Sequence, residues 1–371
     1  MNFKNLLESV GLSSDKNSGS VVGIDFGSSA IKLVQLKKKK GQAVLETYGE
    51  IALGPYAGTE IGRATNLPVE KRIEALRDLM REANVTTKNA GLSIPLSATL
   101  LSLIQVPTVD EKRMAEMIPI EARRYIPVHI SDVTLDWWVI PKAENIFNSP
   151  GGSGETRQEN KSEVLLVAIL NEAIKRNHDI VKGLSLEDVF YEIEIFSAVR
   201  AALDHGIEPV MVLDMGAGST KLYLVEHGIV KDSHIINRGS QDVTLALSSA
   251  LSIKVKEAEE IKRTIGLSTA PEHKQVSETI SLVLGHIFSE ASSILLNFEK
   301  RTNTPLSKVV LTGGGAVLKG FADAAQVHFK TDTIPAEPFS KVVSPAFLGD
   351  ILKMIGPEFA VAVGIALRKL G

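Results

Sequence analysis

An aspartate, a set of small residues and a lysine occur in this chain at a spacing that suits phosphate binding. Asp25 ends an apolar run and is followed by Gly27, Ser28, Ser29 and Lys32. Small residues in such a turn let backbone N–H groups point outward at an anion, because glycine tolerates the backbone angles that the turn requires. A carboxylate at the end of the strand is placed to hold a hydrated cation. The segment therefore predicts a phosphate site with a counter-ion.

A second copy of this pattern lies in residues 209–226. Asp214 and Lys221 have the separation seen in the first copy, and both segments read D-x-G-x-x-x-x-K-L. The residues of the second turn that we predict to contact phosphate are Gly216, Gly218, Ser219 and Thr220. An internal repeat of this kind predicts two similar halves that close on one nucleotide from opposite sides. The alternative interpretation is two unrelated hairpins.

A glycine-rich turn forms the third candidate element. The apolar run 309–312 leads into Gly313, Gly314 and Gly315, and helical spacing follows over 319–329. A strand, a glycine turn and a helix N-terminus together allow the backbone to approach an anion or nucleotide closely. The segment has neither the GK[ST] of a Walker A loop nor the G-x-G-x-x-G of a dinucleotide site. It therefore predicts a further nucleotide contact of another kind.

In this order, the three segments resemble the two phosphate loops and the adenosine loop of the actin, hexokinase and heat-shock-70 ATPase superfamily. The resemblance implies that ATP binds with Mg²⁺, that Asp25 and Asp214 bracket the metal, and that Lys32 reaches the phosphates. Residues 254–265 resemble the helix on which the heat-shock-70 proteins hold adenine and ribose. By that resemblance, the residues along the nucleoside are Glu259, Lys262 and Arg263.

The implied fold is α/β, an actin-like ATPase fold of two ribonuclease-H-like halves with an inserted subdomain of the FtsA type (1C-like). The predicted units are a leader at 1–20, a first half (1A-like) at 21–89 with 186–205 and 345–371, an inserted partner-binding subdomain at 90–185, and a second half (2A/2B-like) at 206–344. The leader has the spacing of a short amphipathic helix. It is interpreted either as a docking helix for a membrane or partner, or as a helix packed on its own domain.

The inserted block narrows the resemblance within the superfamily. Its order of strands and helices, with EARRYIP and LDWWVI, resembles the module of the bacterial FtsA and PilM families. FtsA proteins usually add a basic amphipathic membrane helix, whereas residues 357–370 look like the closing helix of the core, which favours the PilM family of type IV pilus assembly. That family implies a cytoplasmic scaffold at the inner face of the cell membrane, attached there through the short N-terminal cytoplasmic peptide of the membrane protein PilN.

Two other functions stay open from the residues. One is an FtsA-like division protein that polymerises at the membrane, which includes self-association. The other is a small-molecule kinase on the same fold, although no sugar-kinase substrate motif is recognisable. Trp137 and Trp138 point to opposite faces of a strand, so we expect one in the core and the other either at a partner or under the loop 144–162.

Hydrolysis needs a residue that orients water in line with the γ-phosphate. In the superfamily an acidic or amide residue at the end of the connecting helix does this, and the candidates here are Glu192 and Glu194. We prefer Glu194 as the catalytic residue, while the alternative is that both are ordinary charges at a strand end. The sequence therefore predicts ATP binding with at most weak turnover.

Composition limits the remaining classes. The 371 residues include 41 Lys and Arg, 44 Asp and Glu, and no cysteine. The absence of cysteine excludes a disulfide framework and a thiolate metal site, and the balanced charge argues against a nucleic-acid partner. No run approaches the roughly 20 apolar residues of a membrane helix, so we expect a soluble protein.

Overall fold

The computed structural model describes residues 19–140, 161–204 and 206–371. The strands are β1 (Ser20–Phe26), β2 (Ala30–Lys39), β3 (Gln42–Ala52), β4 (Asn89–Ile94), β5 (Thr99–Pro107), β6 (Val133–Val139), β7 (Lys161–Leu170), β8 (Glu187–Ile193), β9 (Val210–Met215), β10 (Thr220–Glu226), β11 (Ile229–Ile236), β12 (Lys308–Thr312) and β13 (Asp332–Pro335). The helices are α1 (Val69–Glu82), α2 (Glu111–Ala122), α3 (Asn171–Leu184), α4 (Glu194–Ala202), α5 (Ser240–Leu251), α6 (Val255–Thr264), α7 (Lys274–Thr302), α8 (Phe321–Phe329) and α9 (Gly349–Leu370).

Two five-stranded sheets have the same topology. Their strand orders are β3-β2-β1-β4-β8 and β11-β10-β9-β12-β13. In each sheet an antiparallel meander is followed by two strands that run parallel to its first strand. The repeat extends to the register, because Asp25 pairs with Lys32 across β1 and β2, and Asp214 pairs with Lys221 across β9 and β10. The predicted pair of ribonuclease-H-like halves is confirmed, and the two hairpins are related.

A separate three-stranded sheet, in the order β5-β7-β6, forms the inserted block. Helix α2 packs against this sheet as one continuous helix that contains Pro119. The topology makes the block shorter than the predicted 90–185. Strand β4 pairs in parallel with β1, and α3 packs on α1, so both belong with the first sheet. The sequence did not reveal this because only a short turn after Pro95 separates β4 from β5.

Helix α9 closes the first half, as the sequence predicts. It packs on α4, β1 and β2 at contacts that require glycine. A Cβ on Gly23 would overlap the carbonyl oxygen of Ala362, and a Cβ on Gly364 would overlap that of Ser197. This close packing holds β1, and therefore the aspartate turn at its end, against a rigid support.

Helix α7 corrects the expectation that no segment is long and apolar enough to cross a membrane. By length and composition alone, the segment Pro271–Thr302 that contains it could cross a membrane. Its apolar stripe is nevertheless part of the core of the second half, with buried side chains at Val276, Ile280, Val283, Leu284, Ile287, Phe288, Ala291, Leu295 and Phe298. The predicted leader helix lies outside the described residues.

Candidate functional site

The two aspartate turns face each other across one cleft between the halves. The cleft contains a cavity of about 650 Å³. The predicted residues that line it are Asp25, Gly27, Ser28, Ser29, Lys32, Glu194, Asp214, Gly216, Ser219, Glu259, Lys262, Arg263, Gly313, Gly314 and Gly315. Ligand pockets are typically about 300–1,000 Å³, so the cavity has the size of a small-molecule site.

Two predicted residues of the second turn do not line the cavity. The Thr220 side chain is fully buried and donates its hydroxyl hydrogen to the Arg238 carbonyl oxygen at 2.8 Å. Gly218 lies at the rim, where a Cβ would be 3.2 Å from Ala64 Cβ of the opposite half. Both residues shape the turn, and their predicted contact with phosphate is not supported by this placement.

Asp25 carries its carboxylate in an unfavourable electrostatic setting. Burial is the largest influence on its pKa, followed by the negative charge of Glu194, and together they raise it to about 6 although Lys32 and Lys221 oppose them. A carboxylate whose charge is disfavoured by its protein surroundings gains more from a cation bound beside it. The setting therefore fits the predicted role of Asp25 as a metal ligand.

The two lysines of the repeat have different partners. Lys32 Nζ lies 3.4 Å from Glu50 Oε1. Burial alone would lower the pKa of Lys32, but Glu50 and Glu358 raise it overall, so its ammonium stays charged in the cleft. Lys221 Nζ instead lies 2.6 Å from Glu194 Oε2 and 3.8 Å from Asp214 Oδ2.

The structure separates the two candidate catalytic glutamates. Glu192 is buried away from the cleft, where Arg200 donates to both of its carboxylate oxygens at 2.7 Å and Ser197 donates a further short hydrogen bond. Glu194 is the first residue of α4, is 5% exposed, and lines the cleft. Its Oε1 accepts the backbone N–H of Leu96 at 2.5 Å. Glu192 is therefore a structural ion-pair partner, whereas a role for Glu194 in hydrolysis stays a prediction.

The glycine turn after β12 fits tightly around Asp214. Gly313 has a left-handed backbone, with φ of +84°, and a Cβ there would overlap Asp214 Oδ1. The other carboxylate oxygen of Asp214 accepts the Tyr223 hydroxyl at 3.2 Å. Among the described residues, Thr312 Oγ1 is a buried polar atom without a hydrogen-bond partner, and it lines the same cavity. The turn thus presents an unsatisfied hydroxyl beside the aspartate.

Helix α6 contributes a charged network to the second half. Glu259 is buried and accepts hydrogen bonds at 2.7 Å from the Thr244 hydroxyl and from Arg263 Nε, while Lys262 Nζ lies 2.7 Å from its Oε2. Burial would raise the pKa of Glu259, but Lys262 and these hydrogen bonds lower it overall. The network holds the three predicted nucleoside-side residues at the wall of the cavity.

A loop that the sequence did not assign to the site crosses the cleft from the first half. The Ala64 backbone N–H donates to Gln241 Oε1 of the second half at 3.0 Å. Gly62, with φ of +89°, approaches Glu259 so closely that a Cβ would lie 2.9 Å from Glu259 Cδ. The glycines and prolines of 54–68 indicate a loop in the sequence, but nothing local shows that it reaches the other half.

Other lining residues were also missed by sequence reasoning. The repeat aligns Lys221 with Lys32 and so indicated a place in the site, yet Lys221 was not assigned to it. Glu50 and Glu358 lie on elements that reach the cleft only through tertiary packing, on β3 and α9, and no motif marks them.

The donor set fits a magnesium nucleotide. Carboxylates at Asp25 and Asp214 would supply oxygen ligands of the kind that Mg²⁺ prefers, and Lys32 would supply a charge for phosphate. The unpartnered Thr312 hydroxyl and the glycines that leave backbone exposed in the cleft are features that a bound ligand would satisfy.

A second, larger cavity of about 1180 Å³ lies where the inserted block meets both halves. Its apolar walls come from all three parts of the protein, including Trp138, Leu165, Phe196, Val199, Ile207 and Val230. Trp138 is 37% exposed, and Trp137 packs on the core of the inserted block. This division matches the expectation that only one of the two tryptophans is in the core.

Comparison with known proteins gives the family. The sequence model of the type IV pilus assembly protein PilM family matches residues 23–370. The chain belongs to this family. A chain of a solved PilM-PilN type IV pilus biogenesis complex is similar to it with a TM-score of 0.78 and 26% identity, covering 96% of this chain and 100% of that chain.

More distant relatives agree on the fold. The cell division protein FtsA of Enterococcus hirae is 24% identical over 358 residues, which cover 84% of this chain and 77% of FtsA. MreB5 of Spiroplasma citri, solved with AMPPNP, has a TM-score of 0.52 at 15% identity and covers 94% of this chain and 95% of its own. The actin-like ATPase fold and the membership of the PilM family are therefore confirmed.

Proposed function

We propose that this protein is an ATP-binding cytoplasmic scaffold of a type IV pilus assembly machine, and that it docks the N-terminal peptide of a PilN-like inner-membrane protein under nucleotide control. The observation that carries the nucleotide part is that Asp25 and Asp214 line one cavity from opposite halves. An actin-like protein of the same fold, MreB5, was solved with AMPPNP, which supports a nucleotide as the ligand.

Each element has a role in this proposal. Backbone N–H groups of the two turns, at 27–29 and at Ala217 and Ser219, bind the phosphates, and Lys32 adds a positive charge. Magnesium bound by Asp25 and Asp214 neutralises phosphate charge. The α6 network and the glycine turn 313–315 enclose the nucleoside. Because parts of both halves touch one ligand, ATP holds the cleft closed.

The groove of about 1180 Å³ is our proposed site for the partner peptide. It adjoins the inserted block and both halves, so a change in cleft closure alters its width. Its walls are mainly apolar, which suits anchoring side chains of a short peptide. The PilM-PilN complex, at 26% identity, supports a PilN-like segment as the occupant. Through this partner the scaffold is held at the inner face of the cell membrane.

The test uses a synthetic peptide with the sequence of the PilN N-terminal segment. Its binding is measured by fluorescence anisotropy with and without MgATP. We expect Trp138→Ala to weaken binding at least fivefold, because it removes an aromatic wall of the groove. Phe347→Ala is the matched control, since Phe347 is an exposed aromatic residue, 81% accessible, outside the groove. Equal affinity for wild type and Trp138→Ala, or no effect of MgATP, would contradict the proposal.

The FtsA-like alternative has a direct test because FtsA relatives match the chain. It predicts ATP-dependent filaments and co-sedimentation with lipid vesicles that is lost when residues 1–20 are removed. Our proposal predicts vesicle binding only when the vesicles carry the PilN-like partner. Filaments that form on bare vesicles would favour the division protein.

A further inference from the structure

The cleft contains a protein cation in the middle of its carboxylate cluster. Lys221 Nζ lies 2.6 Å from Glu194 Oε2 and 3.8 Å from Asp214 Oδ2. The remaining oxygen of Glu194, Oε1, accepts the Leu96 backbone N–H at 2.5 Å. A protein donor therefore contacts each oxygen of the carboxylate that we predict to orient a water.

The lysines of the two repeat copies differ in how well their ion pairs are shielded from water. In the first copy, Lys32 Nζ lies 3.4 Å from Glu50 Oε1, and the Glu50 side chain is 38% exposed. In the second copy, the side chain of Lys221 is 17% exposed and that of Glu194 only 6%. A charge pair so well shielded from water is held more tightly than one at the surface.

We propose, on the basis of the proposed ATP site, that Lys221 is a positioning residue that withholds Glu194 from the attacking water. ATP then binds and stays intact while the pair persists. Hydrolysis requires that the water oxygen bond to the γ-phosphorus while the bond from that phosphorus to the bridging oxygen breaks and ADP leaves with the electron pair. The proton released by the water needs an acceptor, and the ammonium of Lys221 competes with the water for the Glu194 carboxylate.

The same geometry sets a second property that does not depend on turnover. The ammonium contacts both Glu194 and Asp214, so it would compete with a divalent cation for these carboxylates. Removal of the ammonium leaves the carboxylates of Asp25, Asp214 and Glu194 together in one cavity. Glu194 and Asp214, the two carboxylates that share the ammonium, then bind a divalent cation more tightly than they do in wild type.

The experiment compares four variants of the full chain with wild type. Lys221→Met removes the ammonium, Lys221→Arg keeps a positive charge, and Lys221→Met with Glu194→Gln also removes the carboxylate. Lys231→Met is the matched control, because Lys231 forms a 2.9 Å ion pair with Glu163 outside the cleft and its side chain is 19% exposed. Lys221→Gln replaces Lys221→Met if circular dichroism shows that the latter is unfolded.

Mn²⁺ binding is measured without nucleotide by electron paramagnetic resonance, ATP affinity by calorimetry, and hydrolysis in single turnover. We expect Lys221→Met to bind Mn²⁺ at least tenfold more tightly and to hydrolyse bound ATP at least tenfold faster. The double variant returns to slow hydrolysis, and Lys221→Arg and Lys231→Met behave as wild type.

Unchanged Mn²⁺ affinity in Lys221→Met overturns the inference whatever ATP does, because that measurement needs no nucleotide. Faster hydrolysis that persists in the double variant also overturns it, since Glu194 is then not the residue that was withheld. Absence of ATP binding in wild type and every variant overturns the proposed function and this inference with it, and is recognised by calorimetry alone.

Discussion

The protein surroundings of Asp25 disfavour its negative charge, which the proposed metal ion would need. Its pKa of about 6 results from burial and from the neighbouring Glu194. Functional sites commonly lower stability in this way, because a group arranged for a ligand is poorly compensated without it. The carboxylate of Glu259 is the opposite case, since its partners lower its pKa and stabilise its charged form in the folded protein.

The first prediction concerns Asp25 and pH. Its folded pKa, about 6, exceeds the ordinary aspartate pKa of 3.8, so the folded state binds more protons between these values. The stability of nucleotide-free protein therefore falls as pH rises from about 4 to about 6 and stays reduced above that range. Asparagine does not titrate, so the Asp25→Asn variant does not lose stability for this reason as pH rises. Its melting temperature without nucleotide and in chelator is expected to exceed that of wild type at about pH 8, with a gap that narrows at about pH 4.5.

Asp323→Asn is the control for that experiment, because Asp323 is exposed on α8. It should melt with wild type at both pH values. A melting temperature of Asp25→Asn at or below that of wild type at about pH 8 would show that the charge is not disfavoured.

The second prediction compares two adjacent glutamates on α6. Glu259→Gln breaks a buried network with Lys262 and Arg263, so we expect the free energy of unfolding in urea to fall by about 2–4 kcal/mol. ATP affinity should fall as well. Glu260→Gln changes an exposed side chain and should alter stability by less than about 0.5 kcal/mol. Equal stabilities of the two variants would contradict the structural role of the network.

At the scale of elements, the glycine turn after β12 is positioned by backbone geometry. Gly313 needs a left-handed backbone and has Asp214 against it, whereas Gly314 has no positive φ and its Cβ would meet only Glu358 Oε2 at 3.6 Å. The two neighbours therefore differ in what a methyl group would do, although the sequence presents them as equal.

The third prediction uses this difference. Gly313→Ala forces a strained backbone and displaces the Asp214 carboxylate, so we expect a loss of about 1–3 kcal/mol in stability and at least tenfold weaker ATP binding. Gly314→Ala should keep the wild-type melting temperature to within about 2 °C. Differential scanning fluorimetry and calorimetry measure the two effects. A Gly313→Ala protein as stable as Gly314→Ala would contradict the tight fit around Asp214.

The elements themselves were largely predictable. The strands β9, β10 and β11 and the stripe of α7 follow from apolar periodicity, and the pairing of Asp25 with Lys32 follows from the repeat. The boundary of the inserted block did not follow. Whether β4 joins the sheet before it or after it depends on long-range pairing with β1, which local sequence patterns do not encode.

At the scale of the whole molecule, the cleft joins residues that are far apart in the chain. The contact of Ala64 with Gln241, and the closeness of Gly62 to Glu259, are made by a loop whose sequence indicates only that it is a loop. The cleft could be predicted because each half carries its own turn. The crossing loop could not, because its partner surface exists only after both halves have folded.

The fourth prediction concerns closure. Gln241→Ala removes a hydrogen bond between the halves, so we expect ATP to dissociate several-fold faster while the protein remains folded. Gln275→Ala is the control, because Gln275 donates to the Ala250 carbonyl oxygen within the second half. Stopped-flow release of a fluorescent ATP analogue measures the rates. Equal release from the two variants would show that the crossing loop does not retain the nucleotide.

The central claim is that both aspartate turns hold one triphosphate, and calorimetric titration of MgATP tests it most directly. Asp25→Asn and Asp214→Asn are titrated beside wild type and the exposed control Asp323→Asn. The predicted result is one ATP per chain, affinity lowered at least tenfold in each cleft variant, and no change in the control. Wild-type affinity in either cleft variant would contradict the claim.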